Sequence, residues 1–106
     1  MPLRITPGSL IEIEVGEEEI FTLGMVDHLD GDTVASHTMT ITDSDEVDVT
    51  SNFTGDSSES NGVLTFGVKG YATGTYTITF WVTCNETLPD GVTPREFKAA
   101  MTMKVT

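Results

Sequence analysis

The segment from Gly74 to Cys84 constrains the fold most, because apolar and polar side chains alternate along it with a two-residue period. Its apolar face consists of Tyr76, Ile78, Phe80, Val82 and Cys84. The opposite face carries four threonines and the only tryptophan of the chain, Trp81. This alternation is typical of a half-buried β-strand and argues against a helix. The segment therefore predicts a long strand with one face in a core and one polar face around Trp81.

Other segments show the same period, and turn residues separate them at intervals of about 8 to 12 positions. Strands are predicted in residues 10–15, 19–25, 34–42, 62–69, 74–84 and 97–105, with a weaker edge strand around Val47, Val49 and Phe53. Residues 54–61 are a predicted loop, and Tyr76 has the position of a tyrosine corner. The chain is therefore predicted to be all-β, a single immunoglobulin-like β-sandwich of about seven antiparallel strands. Residues 1–9 form a predicted N-terminal arm, and residues 10–106 form the sandwich.

Composition limits the partners of this chain. With 106 residues it makes one domain, and its single cysteine, Cys84, excludes an intramolecular disulfide. The 17 acidic and 5 basic residues give a net charge of -12. Binding to nucleic acid is not expected, because phosphate contacts require clustered Lys and Arg. No signal peptide or membrane-spanning stretch is apparent, so we expect no membrane partner.

The sequence offers little for catalysis. It has two histidines, His28 in a predicted loop and His37 on the inner face or rim of a predicted strand, and it lacks a nucleophile elbow, a histidine-pair metal motif and a phosphate-binding loop. We therefore predict no enzyme activity, no catalytic residue and no cofactor. Acidic residues cluster in residues 27–32 and again in residues 43–48, and calcium could use such oxygens if both loops met. Neither run has the EF-hand spacing, so no metal site is predicted and calcium stays an open alternative.

Three short motifs carry a resemblance to a known family. They are Gly31-Asp32-Thr33-Val34-Ala35, Gly62-Val63-Leu64-Thr65-Phe66 and Gly74-Thr75-Tyr76-Thr77-Ile78. In this order, and followed by a final alternating strand, they resemble small tailed-bacteriophage proteins that act as fiber-tail adaptor or neck proteins. The resemblance covers about residues 19 to 105. The chain departs from this family in three places: the acidic leader from Glu12 to Glu19, the long loop of residues 54–61 and the insertion around Pro89.

The resemblance implies a structural virion protein, assembled in the host cytoplasm in several copies, that joins neck, tail or fiber components. The alternatives are a capsid decoration or cement protein and a carbohydrate-binding immunoglobulin-like module. The expected partners are other virion proteins. Trp81 is the first interface candidate, because exposed aromatic residues are enriched at protein contacts. Tyr71 is a further interface candidate, and so is Arg4, which lies in the N-terminal arm.

Overall fold

A computed structural model describes residues 3–6, 8–53 and 57–106 of the chain. Strands occupy most of it: β1 Leu3–Ile5, β2 Leu10–Ile13, β3 Glu18–Gly24, β4 Val34–Thr42, β5 Ser57–Ser60, β6 Val63–Lys69, β7 Gly74–Thr87 and β8 Pro94–Val105. Two single-turn helices, α1 Val26–Leu29 and α2 Thr50–Phe53, lie in connections. Neither helix of the described chain could span a bilayer. The protein is all-β, as the alternation predicts.

The strands form two four-stranded sheets. One sheet has the order β1-β3-β6-β5 and the other has the order β2-β8-β7-β4. Within the described residues, β1 pairs with β3 and β2 pairs with β8 in parallel, while the other pairs are antiparallel. The sheets are therefore mixed, and the expectation of antiparallel strands throughout does not hold. The reason lies in the N-terminal segment, which contributes β1 to one sheet and β2 to the other.

Both sheets bury their inward residues in one core. On β7, Tyr76, Ile78, Phe80, Val82 and Cys84 are all buried, as the alternation predicts. The Phe66 ring of β6 meets the Phe80 ring of β7 edge-on at a centroid distance of 5.0 Å, so this contact joins the two sheets. Burying such a side chain stabilises the fold by about 1.5–3 kcal/mol. The packing of the two inward faces against each other therefore stabilises the fold.

Two local predictions differ from the structure. Residues 47–53 form no strand beyond a single bridge between Asp48 and Thr42. Asp48 Oδ1 accepts hydrogen bonds from the Thr50 amide and hydroxyl at 3.0 and 2.6 Å, so the backbone turns here, and α2 starts at Thr50. The predicted loop 54–61 contains β5, although residues 54–56 lie outside the described residues. Within the predicted arm 1–9, residues 1, 2 and 7 lie outside the description and Leu3–Ile5 forms β1, and the division into an arm and a sandwich stays a prediction.

Two polar contacts hold the rim of the core. His37 is half-buried, and its Nε2 lies 2.9 Å from Ser57 Oγ, so it links β4 and β5, the edge strands of opposite sheets. Tyr76 Oη donates a hydrogen bond of 3.0 Å to the carbonyl of Ala72, four residues upstream. This is the geometry of a tyrosine corner, which fixes the connection between β6 and β7.

We expect Tyr76→Phe to lower the free energy of unfolding by about 1 kcal/mol, because it removes one half-buried hydrogen bond and keeps the ring in the core. Urea denaturation followed by circular dichroism measures this change. Tyr71→Phe is the matched control, since Tyr71 is 59% exposed. Equal stability of the two variants would contradict the assigned role of the Tyr76 hydroxyl.

Candidate functional site

One end of the sandwich gathers three connections, which we call the loop end: residues 25–33 between β3 and β4, the turn 61–62 between β5 and β6, and residues 85–95 around the β7–β8 turn. The Met25 amide donates to the Gly62 carbonyl at 2.9 Å, and the Asn85 amide donates to the Thr33 carbonyl at 3.0 Å. Gly62 has a φ of 81°, and a Cβ there would lie 3.0 Å from Leu29 Cδ1. These contacts hold the three connections against one another.

Arg95 is the side chain that ties most of the loop end together. Its Nη2 donates to the His28 carbonyl, and its Nη1 lies 3.4 Å from both the Leu29 carbonyl and Asp32 Oδ2. The same guanidinium lies 5.6 Å from the centroid of the Phe97 ring, on which the His28 ring also stacks at 5.5 Å. Arg95 therefore fixes the first loop onto the base of the β7–β8 hairpin.

Asp32 is the acidic partner in this network, and only 4% of its side chain is exposed. Its Oδ1 accepts hydrogen bonds from the amides of Thr33 and Glu86 at 2.7 and 3.1 Å. Burial of the carboxylate raises its pKa, but the two amides and the Arg95 guanidinium together outweigh burial and lower the pKa below its ordinary value of 3.8. The ionised form of Asp32 is thus the form that the fold holds.

Asp90 organises the tip of the β7–β8 hairpin, residues 88–93. Its Oδ1 accepts from the amides of Val92 and Thr93, both at 2.9 Å, and its Oδ2 accepts from the Thr93 hydroxyl at 2.5 Å. The Thr93 hydroxyl first, and then the two amides, lower the pKa of Asp90. Leu88 closes the turn, because its amide donates to the Thr93 carbonyl at 2.8 Å. The tip is therefore a rigid turn, although it lies outside the core.

This rigid end exposes apolar side chains. Val92 is 79% exposed and Leu88 is 45% exposed on the tip, while Val26 is 60% exposed on α1. Binding residues of proteins often lie on surface loops that a folded scaffold holds in place. The arrangement can therefore present an apolar contact without first ordering a loop.

The loop end has no chemistry suited to nucleophilic catalysis in the part of the chain described. Cys84 is only 1% exposed, and its Sγ lies 3.5 Å from Arg95 Nη1. Burial raises the pKa of the Cys84 thiol, the opposite of what a reactive thiolate requires. Cys84 acts as a small core residue here.

The two acidic loops lie at opposite ends of β4, so the structure does not bring them together as a shared calcium site would require. In residues 43–48, Asp43 Oδ1 accepts hydrogen bonds from the amides of Asp45 and Val47 at 2.9 and 3.0 Å. Across the described ranges, no group of three or more potential metal-binding side chains is found.

The three interface candidates from the sequence lie in separate places. Trp81 is 49% exposed on the outer face of β7, with Lys98 Nζ 5.6 Å from its ring centroid. Tyr71 is 59% exposed between β6 and β7, and its ring lies edge-on to Phe53 at 5.9 Å. Arg4 is exposed on β1 of the other sheet, where it pairs with Thr22. None of these three lies in the loop end, and their interface roles stay predictions.

Comparison with known proteins finds solved structures that are similar in fold but no protein family that matches the sequence. No family model and no curated protein matches the chain. A cysteine protease inhibitor from Entamoeba histolytica, EhICP2, is similar with a TM-score of 0.52 and 12% identity, over 98% of this chain and 94% of the inhibitor. Amebosin matches with a TM-score of 0.46 and 14% identity, over 100% and 99% of the two chains. Plasmodium falciparum Pf12p matches with a TM-score of 0.46 and 14% identity, over 95% of this chain and 42% of Pf12p.

These comparisons correct the bacteriophage expectation, which is wrong. The similarity at a TM-score above 0.5 is to a protozoan protease inhibitor, and no phage family supports the adaptor, neck or decoration roles or the virion partners. The physical reason is that the short Gly-containing motifs behind the resemblance mark turns before strands, which unrelated β-sandwiches share. The similarity at 12% identity shows the fold alone. Localisation in a virion assembled in a host cytoplasm stays untested.

We expect Asp32→Asn to destabilise the protein at neutral pH and to matter less in acid. Because folding lowers the pKa of Asp32, its contribution is fully present above the ordinary value of 3.8 and is lost as the pH falls through the folded pKa. Unfolding free energies of the wild type and the variant, measured across this pH range, should therefore converge in acid. Asp30→Asn, a change at an exposed carboxylate of the same loop, is the matched control. A pH-independent difference for Asp32→Asn would contradict the assignment.

We expect Asp90→Ala to loosen the hairpin tip without unfolding the domain, because the Asp90 side chain bonds, among the residues that the structure describes, only to Val92 and Thr93 of the same turn. Hydrogen exchange measured by NMR should show the Val92 and Thr93 amides exchanging several-fold faster, with core amides unchanged. Asp27→Ala, which removes an exposed carboxylate of the same end, should leave both rates as they are. Unchanged exchange in Asp90→Ala would show that the tip is held by other contacts.

Proposed function

We propose that this chain is a non-enzymatic protein-binding domain that presents its loop end to a partner. The observation that carries the proposal is the hairpin tip, where Asp90 holds a rigid turn and Val92 is 79% exposed. Ordering a flexible side chain at an interface costs about 0.5–1.5 kcal/mol, so a tip that is already ordered binds with less entropic loss. Leu88 and Val92 supply the apolar surface that such a contact would bury.

The partner class that we propose is a cysteine protease. The support is the similarity in fold to a protein described as a cysteine protease inhibitor, together with the shape of the tip. Enzyme active sites are concave, and a narrow protruding turn can enter a cleft that a flat sheet face cannot. The domain would act by occupying the cleft, which requires no catalytic group of its own. We also propose that the sandwich is immunoglobulin-like, since both sheets pack around one core and Tyr76 forms a tyrosine corner.

The outer face around Trp81 is a second candidate for protein binding. Trp81 is 49% exposed in the middle of the sheet, paired in register with Thr38 of β4 and Lys98 of β8. Exposed tryptophan is enriched at interaction hot spots. The tip remains the stronger candidate, because Val92 is 79% exposed and hydrogen bonds to the Asp90 side chain hold its turn.

Inhibition of papain-like cysteine proteases tests the proposal. We expect the purified chain to slow peptide hydrolysis by papain and the double variant Leu88→Ala/Val92→Ala to raise the inhibition constant by at least about tenfold, equivalent to ~1.4 kcal/mol. Trp81→Ala is the matched control, because it truncates an exposed apolar side chain of the other candidate surface. Circular dichroism should show all variants folded.

The outcomes separate the two surfaces and the partner class. Failure of the unaltered chain to inhibit or bind papain-like proteases would overturn the protease assignment. Loss of inhibition in Trp81→Ala with full inhibition by the tip variant would move the binding surface to the sheet face. Loss in the tip variant alone would support the loop end.

A further inference from the structure

We infer that the partner surface that receives the loop end is an apolar socket rimmed by cationic side chains. This inference rests on the proposed function and adds the charge of the partner and the manner of association. The loop end carries Asp27, Asp30, Asp32, Glu86 and Asp90. Its only Lys or Arg is Arg95, whose guanidinium is already engaged by Asp32 and by backbone carbonyls of the first loop. The end therefore combines negative charge with the exposed apolar side chains of Leu88, Val92 and Val26.

The carboxylates of the loop end have two different roles. Asp32 and Asp90 hold the structure, since each accepts hydrogen bonds from neighbouring backbone amides. Asp27, Asp30 and Glu86 are exposed, and in the described part of the chain their side chains form no hydrogen bond or ion pair. We call these three the steering carboxylates. They can be neutralised without removing a contact that the fold uses.

A partner has to accommodate these charges when Leu88 and Val92 become buried. Burying a carboxylate that loses water without gaining a hydrogen-bond donor costs free energy, and like charges placed opposite each other repel. An apolar socket with an acidic or neutral rim would therefore oppose docking, whereas Lys or Arg around the socket would attract it. Complementary rim charges act mainly on the association rate.

A second set of exposed carboxylates lies at the other end of the domain and serves for comparison. Asp45 and Glu46 are exposed in the connection after β4, and Glu14 is exposed after β2, all at the end of the sandwich opposite the hairpin tip. Neutralising these three changes the net charge by the same amount as neutralising the steering carboxylates. The two sets thus separate local steering from the effect of the net charge of -12.

Association kinetics with papain test this inference, with the active-site thiol of papain capped by a methylthio group to prevent cleavage. We expect the triple variant Asp27→Asn/Asp30→Asn/Glu86→Gln to associate about tenfold more slowly at low salt with a nearly unchanged dissociation rate. Rising sodium chloride should remove most of the difference. The control triple Glu14→Gln/Asp45→Asn/Glu46→Gln should associate nearly as fast as the unaltered chain.

Each result decides the inference. Slower association in the first triple alone supports it. Equal slowing in both triples, or a rate that does not depend on salt, overturns it while leaving papain binding and the proposed function in place. Failure of the unaltered chain to bind papain overturns the protease assignment and this inference together.

Discussion

The cross-sheet packing of the inward faces of β6 and β7 is the constraint on which the rest of the molecule depends. Phe66 and Phe80 meet across the sandwich at 5.0 Å, and neither ring is more than 1% exposed. This packing fixes which face of β7 points into the core. From there β7 pairs with β8 along its length, from the Gly74–Val105 pair to the Thr87–Pro94 pair. The β7–β8 hairpin thus extends from the core into the loop end. Its tip lies outside the hydrophobic interior, but the two strands that carry the tip are packed in the core.

Polar contacts connect the loops to the strands that the core holds in place. Arg95 lies on β8 two residues before Phe97, which packs against the core, and it binds backbone carbonyls of the first loop. Asp32 adds a second link between the first loop and the hairpin, because its Oδ1 accepts a hydrogen bond from the Glu86 amide at the base of the hairpin. The loop end is therefore held by charged groups that are satisfied within the fold, while Val92 stays available to a partner.

The sequence predicts the parts of the fold that follow from local period. The alternation at Tyr76, Ile78 and Phe80 places these residues in the core, and Pro89-Asp90-Gly91 marks the turn that Asp90 caps. Contacts distant in the chain could not be predicted: Arg95 and Asp32 are 63 positions apart, and no local pattern shows that they meet. The parallel pairing of β1 with β3 and of β2 with β8 could not be predicted for the same reason. The family resemblance failed because turn motifs report backbone geometry rather than ancestry or partner.

Hydrogen exchange mass spectrometry of the chain with and without methylthio-capped papain tests the central claim most directly, because it maps the contact surface. Binding through the loop end predicts increased protection in residues 86–93 and 26–33, with no change in the strands around Trp81. Protection confined to β4 and the Trp81 region of β7, with the hairpin tip unchanged, would contradict the account.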